Sequence, residues 1–119
     1  MKLKKINPAG LKSALKHNCV ILYYAPWCHY CKKMEPVYQQ VAMELDSENF
    51  HLAKCDMHKY RDIIAREAIG EDIFGSSVVE DVKGYPTVIC YKDNGERSVY
   101  NGPVNSHIMR STFKSFYGN

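Results

Sequence analysis

Cys28 and Cys31 are two of five cysteines in a chain of 119 residues, and they alone share a spacing suited to chemistry. They are separated by two residues and lie where a strand-like run gives way to a helix. A thiol at a helix start sits among unpaired N–H groups and the positive end of the dipole, so its thiolate is stabilised. A second thiol one turn further on is close enough to close a disulfide. Disulfide exchange needs both, one thiolate to attack and the other to resolve the mixed disulfide that forms. The pattern therefore predicts a redox dithiol with Cys28 as nucleophile, Cys31 as resolving thiol and Trp27 flanking an exposed Cys28 sulfur. Half a zinc site is the competing reading. Structural zinc takes four ligands, however, and neither a second CxxC nor an HxxxH is present. No metal is expected, although His29 could bind one opportunistically.

The elements around the pair can be read from periodicity. Pro8 to His17 has Leu11, Ala14 and Leu15 at helical spacing. Cys19 to Tyr24 is an unbroken apolar and aromatic run, the mark of a strand buried on both faces. Cys31 to Leu45 reads as an amphipathic helix that Pro36 should kink. Phe50 to Cys55 reads as a strand and Tyr60 to Ile69 as a helix. Pro86 to Tyr91 and Arg97 to Tyr100 are strands joined by a hairpin at Asp93-Asn94-Gly95-Glu96. Ser106 to Phe116 is a last helix, and Gly70 to Lys83 a loop or broken helix. Parallel βαβ units followed by an antiparallel hairpin predict an α/β fold, a central mixed sheet with helices on both faces. Residues 1–119 are expected to form one domain.

Composition excludes more than it identifies. The formal charge of +3 is too small an excess to suggest nucleic acid or an anionic membrane as a main partner. No apolar run approaches the ~18 residues of a membrane span. The Lys-rich start at Met1 to Lys5 lacks the apolar run of a signal peptide, and Phe116 to Asn119 is no retention tail. A soluble, cytoplasmic chain is the resulting expectation. Cys19, Cys55 and Cys90 lie in apolar stretches and are expected to be buried and inert.

The segment Ala25-Pro26-Trp27-Cys28-His29-Tyr30-Cys31-Lys32-Lys33-Met34-Glu35-Pro36 resembles the active-site segment of the thioredoxin superfamily. The likeness is nearest to thioredoxins and the catalytic domains of protein disulfide isomerases. Lys54, Gly84-Tyr85-Pro86-Thr87 and Gly102 match the family pattern as well. The resemblance implies a thioredoxin fold, a cis Tyr85-Pro86 bond beside the dithiol and a substrate chain pairing with the backbone at Tyr85.

Two positions depart from the pattern. The family places a buried carboxylate six residues before the first active-site cysteine, and here that residue is Leu22. Lys54, that acid's partner in the family, is then either a plain surface lysine or a direct stabiliser of the Cys31 thiolate. His29-Tyr30 replaces the usual dipeptides, and a protonated His29 would stabilise the Cys28 thiolate and make the disulfide more oxidising. Lys54 to Pro86 is also longer than in a minimal thioredoxin, by about a dozen residues.

The functional expectation is a monomeric thiol-disulfide oxidoreductase acting on protein substrates, with no cofactor beyond its own thiols and a reductase or other electron donor or acceptor as partner. A reductase role is expected, because no export signal is evident. The alternatives are an oxidase or isomerase of an oxidising compartment, and a binding scaffold with weak redox activity.

Overall fold

All six side chains of Cys19–Tyr24 are buried. Successive side chains of a strand face opposite ways, so a run without polar residues requires cover on both sides. The computed structural model, which describes residues 3–45, 49–72 and 75–118, supplies that cover. Its strands are β1 (Lys4–Ile6), β2 (Cys19–Tyr24), β3 (His51–Asp56), β4 (Thr87–Tyr91) and β5 (Arg97–Val99). They form one sheet in the order β1-β3-β2-β4-β5. β1 and β2 run parallel to β3, whereas β4 is antiparallel to both β2 and β5. The expected mixed sheet is therefore present, with β2 at its centre.

The helices are α1 (Pro8–Ala14), α2 (His29–Glu44), α3 (Met57–Arg66), α4 (Val78–Asp81) and α5 (Ser106–Phe116). Val20 and Leu22 face one side, in a core with Met34, Tyr38 and Val41 of α2 and Met109 and Phe113 of α5. Ile21 and Tyr23 face the other, in a core with Leu11 of α1 and Met57 and Ile64 of α3. Each such side chain contributes about 1.5–3 kcal/mol when fully buried. Buried tyrosine hydroxyls find partners within this packing: Tyr23 Oη lies 2.8 Å from Tyr91 Oη, and Tyr38 Oη donates toward the Val20 and Ala53 carbonyls at 2.9 Å. The hairpin at Asn94-Gly95 forms as the dipeptide predicts, with Gly95 at φ +95° and Lys92 N–H donating to the Glu96 carbonyl.

Several boundaries differ from the sequence reading, and four differences have an identifiable local cause. β1 went unforeseen because three residues, two of them exposed lysines, carry too little pattern; Ile6 is its buried anchor. α2 begins at His29 rather than Cys31, because the Cys28 side chain caps it. α3 begins at Met57 rather than Tyr60, because Asp56 accepts a hydrogen bond from Lys59 N–H and starts the helix early. Within the expected loop at 70–83, Ser77 caps the short α4; Ile73 and Phe74 lie outside the described residues. Gly70 turns the chain there at φ +76°, and a Cβ on it would lie 2.5 Å from Val78 Cγ2.

A candidate dithiol site at the start of α2

β2 ends at Tyr24, and Ala25-Pro26-Trp27 turns the chain onto α2. The turn closes with Cys28 N–H donating to the Ala25 carbonyl at 3.1 Å. Cys28 then takes the N-cap position, in extended backbone conformation, and its Sγ accepts from Cys31 N–H at 3.2 Å. The two thiols are thus joined through the first turn of a 16-residue helix. Both are free, and both are buried among Tyr24 and Ala25 with Tyr85 packed against them.

The expected exposed Cys28 sulfur is a correction. Cys28 is only 6% exposed, because capping turns its side chain back onto its own helix while Tyr85 and Tyr24 cover it. The exposed groups at this edge are aromatic: Trp27 at 64% and Tyr30 at 67%. Trp27 meets Tyr85 and His58 edge-to-face, at centroid distances of 5.9 and 5.7 Å. His29 lies on the exposed first turn beside Tyr30. The Tyr85-Pro86 bond is cis, as the resemblance implied.

The Cys31 thiol differs sharply from an exposed one. Burial pushes it up to about 12, aided by the hydrogen bond with Cys28 and by the charges of Cys28 and Glu35, against a lowering contact with the Ala25 backbone. Cys31 therefore keeps its proton at neutral pH. Burial also pushes Cys19, Cys55 and Cys90 up to about 12, so these too hold their protons in the core.

Comparison with known proteins fits this geometry. The family model described as thioredoxin matches residues 2–71, more than half of the chain. The chain belongs to the thioredoxin family. Within it the chain is similar to protein disulfide-isomerases. The chain is 32% identical over 102 residues to a protein disulfide-isomerase of Arthroderma benhamiae, covering 84% of this chain and 17% of that protein. It is 35% identical over 98 residues to one of Triticum aestivum, covering 82% and 16%. The chain thus spans about a sixth of the length of these relatives. Among solved structures, the Trx4 domain of ERdj5 superposes with a TM-score of 0.74 at 17% identity, covering 99% of this chain and 97% of that one. Mitochondrial thioredoxin 3 from Saccharomyces cerevisiae gives 0.67 at 23% identity, covering 95% and 94%. These likenesses show the fold.

In this thioredoxin domain Lys54 is not a plain surface lysine, its side chain being 17% exposed. Its ammonium is paired with the Glu35 carboxylate of α2 and lies 5.6 Å over the Tyr24 ring. Leu22, in register with Lys54 on the neighbouring strand, is buried in the apolar core at 1% exposure. The sequence reading missed Glu35 and His58. Glu35 had a usable signal, because it stands four residues after Cys31 and so shares its helix face. His58 had none, since its contact with Trp27 is made across the fold. Among the described residues, no group of three or more His, Cys, Asp or Glu side chains is gathered to hold a metal ion.

Proposed function

We propose that this thioredoxin domain is a protein thiol-disulfide oxidoreductase in which Cys28 is the nucleophile and Cys31 the resolving thiol. The observation that carries the reading is the Cys31 N–H to Cys28 Sγ contact of 3.2 Å at the N-terminus of α2, with Tyr85 packed on the pair. The Cys28 thiolate attacks one sulfur of a substrate disulfide, forming a mixed disulfide and releasing the other substrate sulfur as a thiolate that takes up a proton. Cys31 loses its proton and its sulfur attacks Cys28 Sγ, forming the Cys28–Cys31 disulfide and releasing the second substrate thiol. Two electrons pass to the substrate. The reverse sequence oxidises a substrate dithiol, and an external donor or acceptor resets the pair.

Two features of the edge support a protein substrate. The aromatic rim of Trp27, Tyr30 and Tyr85 offers apolar area beside the dithiol, which suits a peptide segment. The backbone at Tyr85, in the bend just before β4, lies beside the dithiol, where a substrate segment would pair with it.

The relatives' name, protein disulfide-isomerase, supports the oxidising or isomerising direction, against the reductase direction expected from the sequence. The reduction potential of the Cys28–Cys31 pair discriminates the two: about −120 to −180 mV fits an oxidase or isomerase, and a value near −270 mV a reductase. The reaction itself is tested with a disulfide-bonded protein and dithiothreitol as donor. Folded wild-type protein is expected to accelerate reduction, and Cys31→Ser to accumulate a mixed disulfide through Cys28, seen by intact mass. Absence of both would refute the proposal and leave a scaffold.

A further inference from the structure

We propose that Glu35, positioned by Lys54, accepts the proton that Cys31 must lose when it resolves the mixed disulfide. The inference rests on the oxidoreductase reading above and assigns its proton transfer. Resolution begins from a thiol, and Cys31 is buried at 4% exposure, where a thiolate forms only as its proton leaves. Some base must therefore stand near it.

The strand beneath offers none, since Leu22 occupies the position in register with Lys54. Asp56, the buried carboxylate at the end of β3, already accepts from Lys59 N–H and caps α3. Glu35 is different. It lies one helical turn beyond Cys31 on the same face of α2, the spacing at which helical side chains are neighbours. Its carboxylate is partly open to solvent, at 45%, so it can pass a proton on to water. Its charge acts on Cys31 and also on Tyr24, which packs against both thiols.

Lys54 fixes this acid in place. Its side chain is 17% exposed, crosses from β3 to pair with Glu35, and rests over the Tyr24 ring. The charged and titratable groups that Glu35 faces include Cys31 on its own helix, Lys54 from β3, which is paired with it, and Tyr24 from β2; the charge of Cys28 also acts on Cys31, and that of Asp56 on Tyr24. Proton and electrons balance: the Cys31 proton passes to Glu35 as Cys31 Sγ bonds to Cys28 Sγ. The Cys28–substrate bond breaks, and the departing substrate sulfur is protonated by solvent.

Single-turnover kinetics test the assignment by separating formation of the mixed disulfide from its resolution, in wild type, Glu35→Gln, Glu35→Asp and Lys54→Met. Glu35→Gln is expected to slow resolution about tenfold or more relative to formation, and to make its rate climb about tenfold per pH unit, as for loss of a thiol proton to hydroxide. Glu35→Asp restores part of the rate, and Lys54→Met shifts the pH profile of resolution. The inference is overturned if resolution in Glu35→Gln keeps the wild-type rate and pH profile, or if formation and resolution slow in parallel. If wild-type protein forms no mixed disulfide at all, the oxidoreductase reading itself has failed.

Discussion

Glu35 of α2 and Lys54 of β3 are ion-paired across 19 residues of sequence, with Glu35 one helical turn beyond Cys31. The pair is partly exposed, so its Coulomb attraction is screened and its net stability contribution is about 1 kcal/mol or less. Lys54→Met is accordingly expected to shift the urea midpoint little. A loss well above that, without any change in the kinetics of Cys31, would show that the pair serves the fold instead.

Alkaline stability follows from the buried thiols. Cys19, Cys31, Cys55 and Cys90 are all pushed up to about 12 by burial, whereas in the unfolded chain a cysteine ionises near 8.5. Between those values the unfolded chain has lost thiol protons that the folded protein keeps, so unfolding releases protons and stability falls as pH rises. The contribution is complete below about pH 8.5 and is gone above about pH 12. Urea denaturation of the reduced protein should therefore give a clearly lower midpoint at about pH 11 than at about pH 8. Equal midpoints would contradict the burial of these groups.

Trp27 separates docking from folding. Its indole is 64% exposed and touches only the edges of Tyr85 and His58 among the ring contacts. Trp27→Ala is expected to change stability by about 0.5 kcal/mol or less, as for surface substitutions. With a protein substrate it should raise KM several-fold and leave kcat nearly intact, the signature of lost substrate binding. A fall in kcat at constant KM would move Trp27 from the docking rim into the chemistry.

Gly70 tests the segment leading toward the Tyr85 loop. Its φ of +76° and the 2.5 Å approach to Val78 Cγ2 leave no room for a side chain, and Leu15 Cδ1 stands 2.9 Å away on another side. Gly70→Ala should cost more than about 1 kcal/mol, measured by thermal or urea unfolding. A neutral result would mean that α4 shifts freely against α1.

The close pairing of Cys28 and Cys31 at a helix start, the two-sided burial of β2 and the hairpin at Asn94-Gly95 were legible because each is local. Spacing two cysteines at a helix start, or placing six apolar residues in a row, fixes its own consequence within a turn or a strand. The cis Tyr85-Pro86 bond was legible only through resemblance to the thioredoxin family, since a proline in sequence carries no mark of its isomer. Other features needed the folded chain. Cys28 turned inward because capping and Tyr85 close over it, and no local pattern encodes a cover that arrives from 57 residues away. β1 is a strand because β3 offers it an edge, although three residues of its own do not make one. The sequence by itself determined that two cysteines, spaced by two residues, stand together at a helix start. Only the tertiary structure decided what surrounds them: β3 carries Lys54 to Glu35, one turn beyond Cys31 on α2, and Tyr85 packs over both sulfurs.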